Sequence, residues 1–196
     1  MRTIATSAAL IGCSVTVLLH LLTLRMGQHD AVAEPIARLG SGEGSEFHAL
    51  GLLSFTLAHL ALAYVLYRPE AGRLYRTGVW LIGVAGVLLL ALVPGAPLAG
   101  AAGSGVLWLV ASTVGVAMGL MVPRLWRTHR TAAWFDLACL AAWVALVPVF
   151  ALVPPDMIGA YERTVAVLYT VWLAGLALLL YRRVTPSLVP PRAQNR

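Results

Sequence analysis

The chain contains no lysine, only two cysteines and little charge of either sign, with 11% of its residues being Asp, Glu, Lys or Arg. So little charge excludes an ordinary soluble domain, which carries about 25%. A nucleic-acid module is excluded as well, because the net charge of +6 sits in short arginine loops and a tail, with no compact basic domain to hold it. Two cysteines rule out a disulfide framework. Cys13 and Cys139 fall inside apolar runs at different depths and read as small core residues. Also missing are a phosphate loop, a dinucleotide fingerprint, a GxSxG elbow, an HExxH pair and a CxxCH haem-attachment site. No cofactor is indicated.

What the chain does have is long apolar sequence, with 60% hydrophobic residues and a mean hydropathy of +0.83. Six runs, 4–24, 47–67, 77–95, 104–123, 131–153 and 161–181, reach the roughly 20 residues that a helix needs to cross a hydrocarbon core of about 30 Å. The expectation is an all-α polytopic membrane protein of six transmembrane helices packed as antiparallel hairpins over 1–183, with a disordered cytosolic tail at 184–196. Arginines set the orientation. Eleven (Arg2, Arg68, Arg73, Arg76, Arg124, Arg127, Arg130, Arg182, Arg183, Arg192 and Arg196) fall on one side of the spans and three (Arg25, Arg38 and Arg163) on the other. The positive-inside rule then makes both termini cytoplasmic. Leu10-Ile11-Gly12-Cys13 resembles a lipoprotein cleavage box, but apolar sequence continues to Leu24, so the first span reads as a retained helix.

The outer side carries a long connection, 25–46, and two short ones, 95–103 and 154–160. Within the first, Asp30–Gly40 could form a short amphipathic helix with Ala33, Ile36, Ala37 and Gly40 toward the membrane, and Gly40, Gly42 and Gly44 as a hinge. An internal repeat relates 76–94 to 130–148 at a constant offset of 54. It shares Arg76/Arg130, Thr77/Thr131, Trp80/Trp134 and Ala91-Leu92-Val93-Pro94/Ala145-Leu146-Val147-Pro148. Ala111, Gly115 and Gly119 recur every four residues, a seam where a partner helix can approach closely. Pro94 and Pro148 would bend or end their helices.

Ionisable groups inside hydrocarbon are costly and mark function. His20, His59 and Asp136 qualify. At 1.5 Å per residue, Asp136 lies about 8 Å from the inner end of its span and His59 about 18 Å from the outer end of its own. They could pair if spans two and five touch; alternatively Asp136 pairs with Arg130 or reaches the inner interface. Thr6, Cys13 and His20, with Thr16 and Thr23 beside them, form a polar stripe on span one. His48 and Glu46 stand at a height similar to His20, and a metal site built from these three has no supporting motif. Trp143 and Trp172 lie too deep for an interfacial belt and read as core packing or cavity lining.

Together these features resemble the bacterial six-span membrane proteins grouped as domain of unknown function 998. The resemblance rests on the six spans, on Pro35-Ile36-Ala37-Arg38-Leu39-Gly40 followed by Gly51-Leu52, and on Val93-Pro94. It covers roughly 8–183. The family commonly reads Pro-Ile-Ser-x-Leu-Gly in this loop, where Ala37 stands in place of Ser. The resemblance implies an integral fold of the bacterial inner membrane and no agreed activity.

Three functions follow from the residues. The first is binding or transport of a lipid-like or amphipathic small molecule in an outward-facing cavity capped by loop 25–46, with His20, His48, His59, Asp136, Trp143 and Trp172 as ligand-binding candidates. The second is an accessory subunit of a membrane complex, held through Ala111, Gly115 and Gly119. The third is a terpene-cyclase-like enzyme using Asp136 or Glu46 as the acid on an isoprenoid, with the tryptophan faces steadying cations.

Overall fold

A segment this apolar must satisfy its backbone hydrogen bonds internally, and this chain does so with helices. The structure, a computed structural model, describes residues 1–27, 29–93 and 103–184. Six α-helices follow one another: α1 (Arg2–Met26), α2 (Ser45–Leu66), α3 (Arg73–Leu89), α4 (Gly103–Thr128), α5 (Arg130–Leu146) and α6 (Ile158–Val184). Short 3-10 turns occupy Ile36–Gly40, Leu90–Leu92, Val147–Leu152 and Pro155–Met157, and no strand occurs among the described residues. Among the described residues six helices are long and apolar enough to cross a bilayer, the architecture of a multi-pass membrane protein. Pro94, the connection 95–103 up to 102, the tail from 185 and the side chain of Ala37 lie outside the described residues.

Each helix packs against the next, and α6 returns to touch both α1 and α2. Small residues permit the approach. Gly12 of α1 faces Ser54 and Ala58 of α2, and Gly86 of α3 lies so near α2 that a Cβ there would stand 2.6 Å from His59 Cβ. Hydroxyls stitch the same contacts: Thr16 donates to Gly51 O (3.1 Å) and Thr56 to Gly86 O (2.8 Å). The rest of the threonine stripe is local, since Thr6 and Thr23 bond carbonyls four residues back. Leu57, Trp80, Trp134 and Val144 are exposed on the outside, as a lipid-facing surface requires.

The fourth span does not end at 123. Pro123 lies inside α4, which runs on through Arg124 and Arg127 so that only His129 separates it from α5. Arginine is a good helix former, and nothing obliges the helix to stop where the apolar run does. Conversely, the expected amphipathic helix over Asp30–Gly40 is absent. Pro35 lacks the N–H and disfavours helical geometry at Glu34, leaving one 3-10 turn, Ile36–Gly40. Among its described side chains the buried one is Leu39, outside the expected apolar set. Gly42 and Gly44 have φ of 81° and 83°, left-handed values that suit glycine.

The repeat extends to the packing. From Thr77 to Leu89 and from Thr131 to Trp143, paired positions have the same degree of burial except at Gly86/Leu140. Both helices then pass into 3-10 turns.

Candidate functional site: a cavity with a polar end

The C-terminal half of α1, the N-terminal parts of α2, α4 and α6 and the far ends of α3 and α5 enclose a cavity of about 350 Å³. Its walls are almost wholly apolar, including Leu52, Phe55, Leu89, Leu107, Trp108 and Phe150. The volume falls at the lower end of small-molecule sites, about 300–1,000 Å³. Its polar groups are His20, His48, Glu162 and Arg163, with Thr16, Thr170 and Tyr161. Among the sequence candidates, His20, His48 and Trp143 line the cavity and Glu46 does not. Glu46 is exposed at the start of α2, whereas His48 is buried. Among the described residues no three His, Cys, Asp or Glu side chains gather as metal ligands would.

His59, Asp136 and Trp172 lie outside the lining and are fully buried. The expected alternatives for Asp136 both give way to a third arrangement. His59 Nδ1 donates to Phe55 O at 2.6 Å. Because that carbonyl can only accept, Nε2 is left to accept from the Tyr169 hydroxyl. Asp136 Oδ1 instead accepts from Trp172 Nε1 at 2.7 Å, and Oδ2 is buried with no partner. Tyr169 and Trp172 stand one turn apart on α6, with ring centroids 6.1 Å apart. Two aromatic side chains of α6 thus answer His59 and Asp136 separately. Arg130 is not a partner of this carboxyl, and α2 and α5 are not principal neighbours.

Tyr169 also meets Phe55 and Trp143 edge-on, with centroids 5.1 and 5.6 Å apart. Phe55, Trp143 and Tyr169 line the cavity, and Tyr169 connects that lining to the rings of His59 and Trp172. Trp143 is fixed by its own N–H, which donates to Ala111 O at 3.0 Å. It fills the small-residue seam of α4: a Cβ at Gly115 would stand 3.1 Å from its ring. The seam expected to receive a partner helix packs against α5 of the same chain.

Over the polar end lies the loop between α1 and α2. It is tied to α6 by main-chain atoms. Ile36 N–H donates to Glu162 Oε2 (2.6 Å), Ala160 N–H donates to Val32 O (2.9 Å), and Arg163 Nη1 donates to Ala31 O (2.9 Å) and Glu34 O (2.8 Å). Gly159 is required here, because any Cβ would strike Glu34 O. Within the loop, His29 Nδ1 meets Glu34 Oε2 at 2.6 Å. The N–H groups of Val32 and Ala33 hold the Asp30 carboxyl below its ordinary range. Ile36 reaches into the cavity wall.

No protein-family model matches the chain, and neither a curated protein nor a solved structure matches it significantly.

Proposed function

We propose that this protein binds, and moves across or within the membrane, a lipid-like or amphipathic small molecule held in this cavity. The observation that carries the reading is the cavity itself, with apolar walls of bilayer-facing helices and one polar end under a docked loop. That division of polarity suits a molecule with a tail and a headgroup. In this reading the arginine-rich ends face the cytoplasm, both termini are inside, successive helices form antiparallel hairpins, and the cavity opens away from the cytoplasm at the cell membrane. The arginine distribution supports the orientation. The gathering of α1 and α2, α3 and α4, and α5 and α6 at their connected ends around one cavity supports the hairpins. The chain then stands beside the proteins of domain of unknown function 998 that it resembles.

The accessory reading has less support, because Trp143 occupies the α4 seam. Acid catalysis by Asp136 has less as well, since that carboxyl lies outside the cavity lining.

The test is purification of the full chain in mild detergent, with mass spectrometry of the small molecules that remain bound. Retention of a defined amphiphile by the wild type, and its loss from Ala166→Trp, which fills the cavity at a lining position, is the expected result. Identical phospholipid carry-over in both would overturn the reading.

A further inference from the structure

Resting on that reading, we infer that the ligand is anionic, its carboxylate or phosphate held by Arg163 at the polar end of the cavity and its tail lying along the apolar wall. Arg163 has five N–H donors in a fixed fork. Only Nη1 is in use, holding the carbonyls of Ala31 and Glu34. Nε and Nη2 are both buried and have no partner. Together they form the side-on edge that receives two oxygens of one carboxylate or phosphate.

The neighbouring carboxylates do not account for this edge. Glu162, next in sequence, accepts from Ile36 N–H. Glu34 offers Arg163 its main-chain oxygen while its side chain goes to His29. Asp30 accepts from Val32 and Ala33 N–H. Each acidic group is engaged with the loop, and the only ion pair among the described residues is His29–Glu34. Arg163 lines the apolar cavity and leaves two buried donors, Nε and Nη2, without a partner, and an oxyanion at the polar end would complete them. His20 and His48 line the same cavity and can add donors or acceptors there.

Size and access point to a single tail. At about 30 Å³ for a water-sized group, a cavity of about 350 Å³ holds roughly a dozen such groups, a headgroup with one chain of moderate length. Val17 and Leu21 of α1 and Val167 of α6 line the cavity and are also exposed. The wall between α1 and α6 is therefore one side chain thick, the place where a tail would pass from the bilayer or a longer one protrude. Because Nη1 grips the loop while the other edge takes the anion, ligand and loop share one side chain.

The experiment uses the full chain in nanodiscs of zwitterionic lipid, with binding corrected for empty nanodiscs. The probes are dodecanoate, geranyl phosphate, dodecanol, dodecyltrimethylammonium, acetate and inorganic phosphate. Dodecanoate or geranyl phosphate should bind at least tenfold more tightly than dodecanol or the cation. Arg163→Gln should remove that preference while leaving dodecanol binding in place. Since Arg163 also holds the loop, Arg163→Lys is the second variant: it keeps the charge, loses the fork and should reduce the preference severalfold. Equal binding of all four tailed probes, abolished by Ala166→Trp, would leave the cavity function standing and overturn the anion assignment. Acetate or inorganic phosphate binding as tightly as the tailed anions would also overturn it, in favour of a free anion. No binding of any tailed probe, with Ala166→Trp indistinguishable from wild type, would overturn both.

Discussion

Helices α3 and α5 are built on one plan and carry different cargo. Both begin near an Arg-Thr pair, place a tryptophan on the outer surface (Trp80 67% and Trp134 60% exposed), and bury corresponding residues 54 positions apart. On the buried face of α3 these are Val79, Ile82, Ala85 and Leu89; on α5 they are Ala133, Asp136, Cys139 and Trp143. One helix fills its slots with hydrocarbon alone. The other carries, at the same heights, a carboxyl, a thiol and an indole, of which the carboxyl is the group hydrocarbon tolerates poorly unless partnered. Asp136 has Trp172, and Trp143 has Ala111 O. The shared helical plan therefore does not need the polar groups, which α5 carries at these slots and α3 does not.

Exchanging residues between the two helices tests this directly. The largest effect is expected for Ile82→Asp, which gives α3 the carboxyl of α5. Ile82 is fully buried in the apolar core. An acid at a helix centre costs about 3 kcal/mol on insertion scales, and here the lost packing adds to it. The folded, monodisperse yield should collapse, and any purified protein should show a thermal midpoint well below wild type. A variant as stable as the parent would mean that this slot already offers a partner, and that α3 is less inert than its sequence.

Trp143→Leu makes the reverse exchange, since Leu89 occupies the equivalent slot. Losing the indole forfeits its contact with Tyr169 and the bond to Ala111 O, worth about 2 kcal/mol in all. A second change shows whether the loss lies in that contact. Gly115→Ala places a methyl against the Trp143 ring and should destabilise the wild type by about 1 kcal/mol, yet be neutral or stabilising when combined with Trp143→Leu. Strictly additive losses in thermal unfolding would break the coupling.

Hydropathy revealed the spans because a bilayer imposes length and apolarity on each one independently of its neighbours. The repeat was legible from identities 54 positions apart, among them Trp80 and Trp134, which both answer to the lipid surface. Asp136 and His59 were conspicuous because charge in hydrocarbon is rare. Their partners were not, because the phenol of Tyr169 and the indole of Trp172 read as apolar bulk, and the pairing depends on which helices become neighbours and how each is rotated. Only the deep Tyr169/Trp172 spacing on one helix could have suggested it. The docked loop was hidden more thoroughly. Its ties run from Arg163, Glu162 and Ala160 to main-chain atoms more than a hundred residues away, and a carbonyl carries no sequence signal. Arg163 therefore read simply as one of three arginines on the less basic side.

The smallest stability effect and the sharpest functional one belong to Asp136→Ile, which makes α5 match α3 at its most anomalous slot. Two changes oppose each other. Removing the carboxyl strands Trp172 Nε1 in the core, at about 1–3 kcal/mol for an orphaned donor. It also removes Oδ2, which is already buried without a partner, and the hydrocarbon in its place relieves the cost of burying that polar atom. The net change should stay within about 1 kcal/mol, and Asp136→Asn, which keeps an acceptor for the indole, should sit closer still to wild type. Equilibrium binding should be unchanged in both, because Asp136 lies outside the cavity lining. If folding and binding survive, selection for stability does not explain why α5 keeps an acid where α3 has isoleucine. Under the proposed function the carboxyl then acts in moving the ligand, so reconstituted vesicles of either variant should bind it normally and fail to transport it. Normal transport by Asp136→Ile would make α3 and α5 functionally equivalent at this slot and remove the acid from the mechanism.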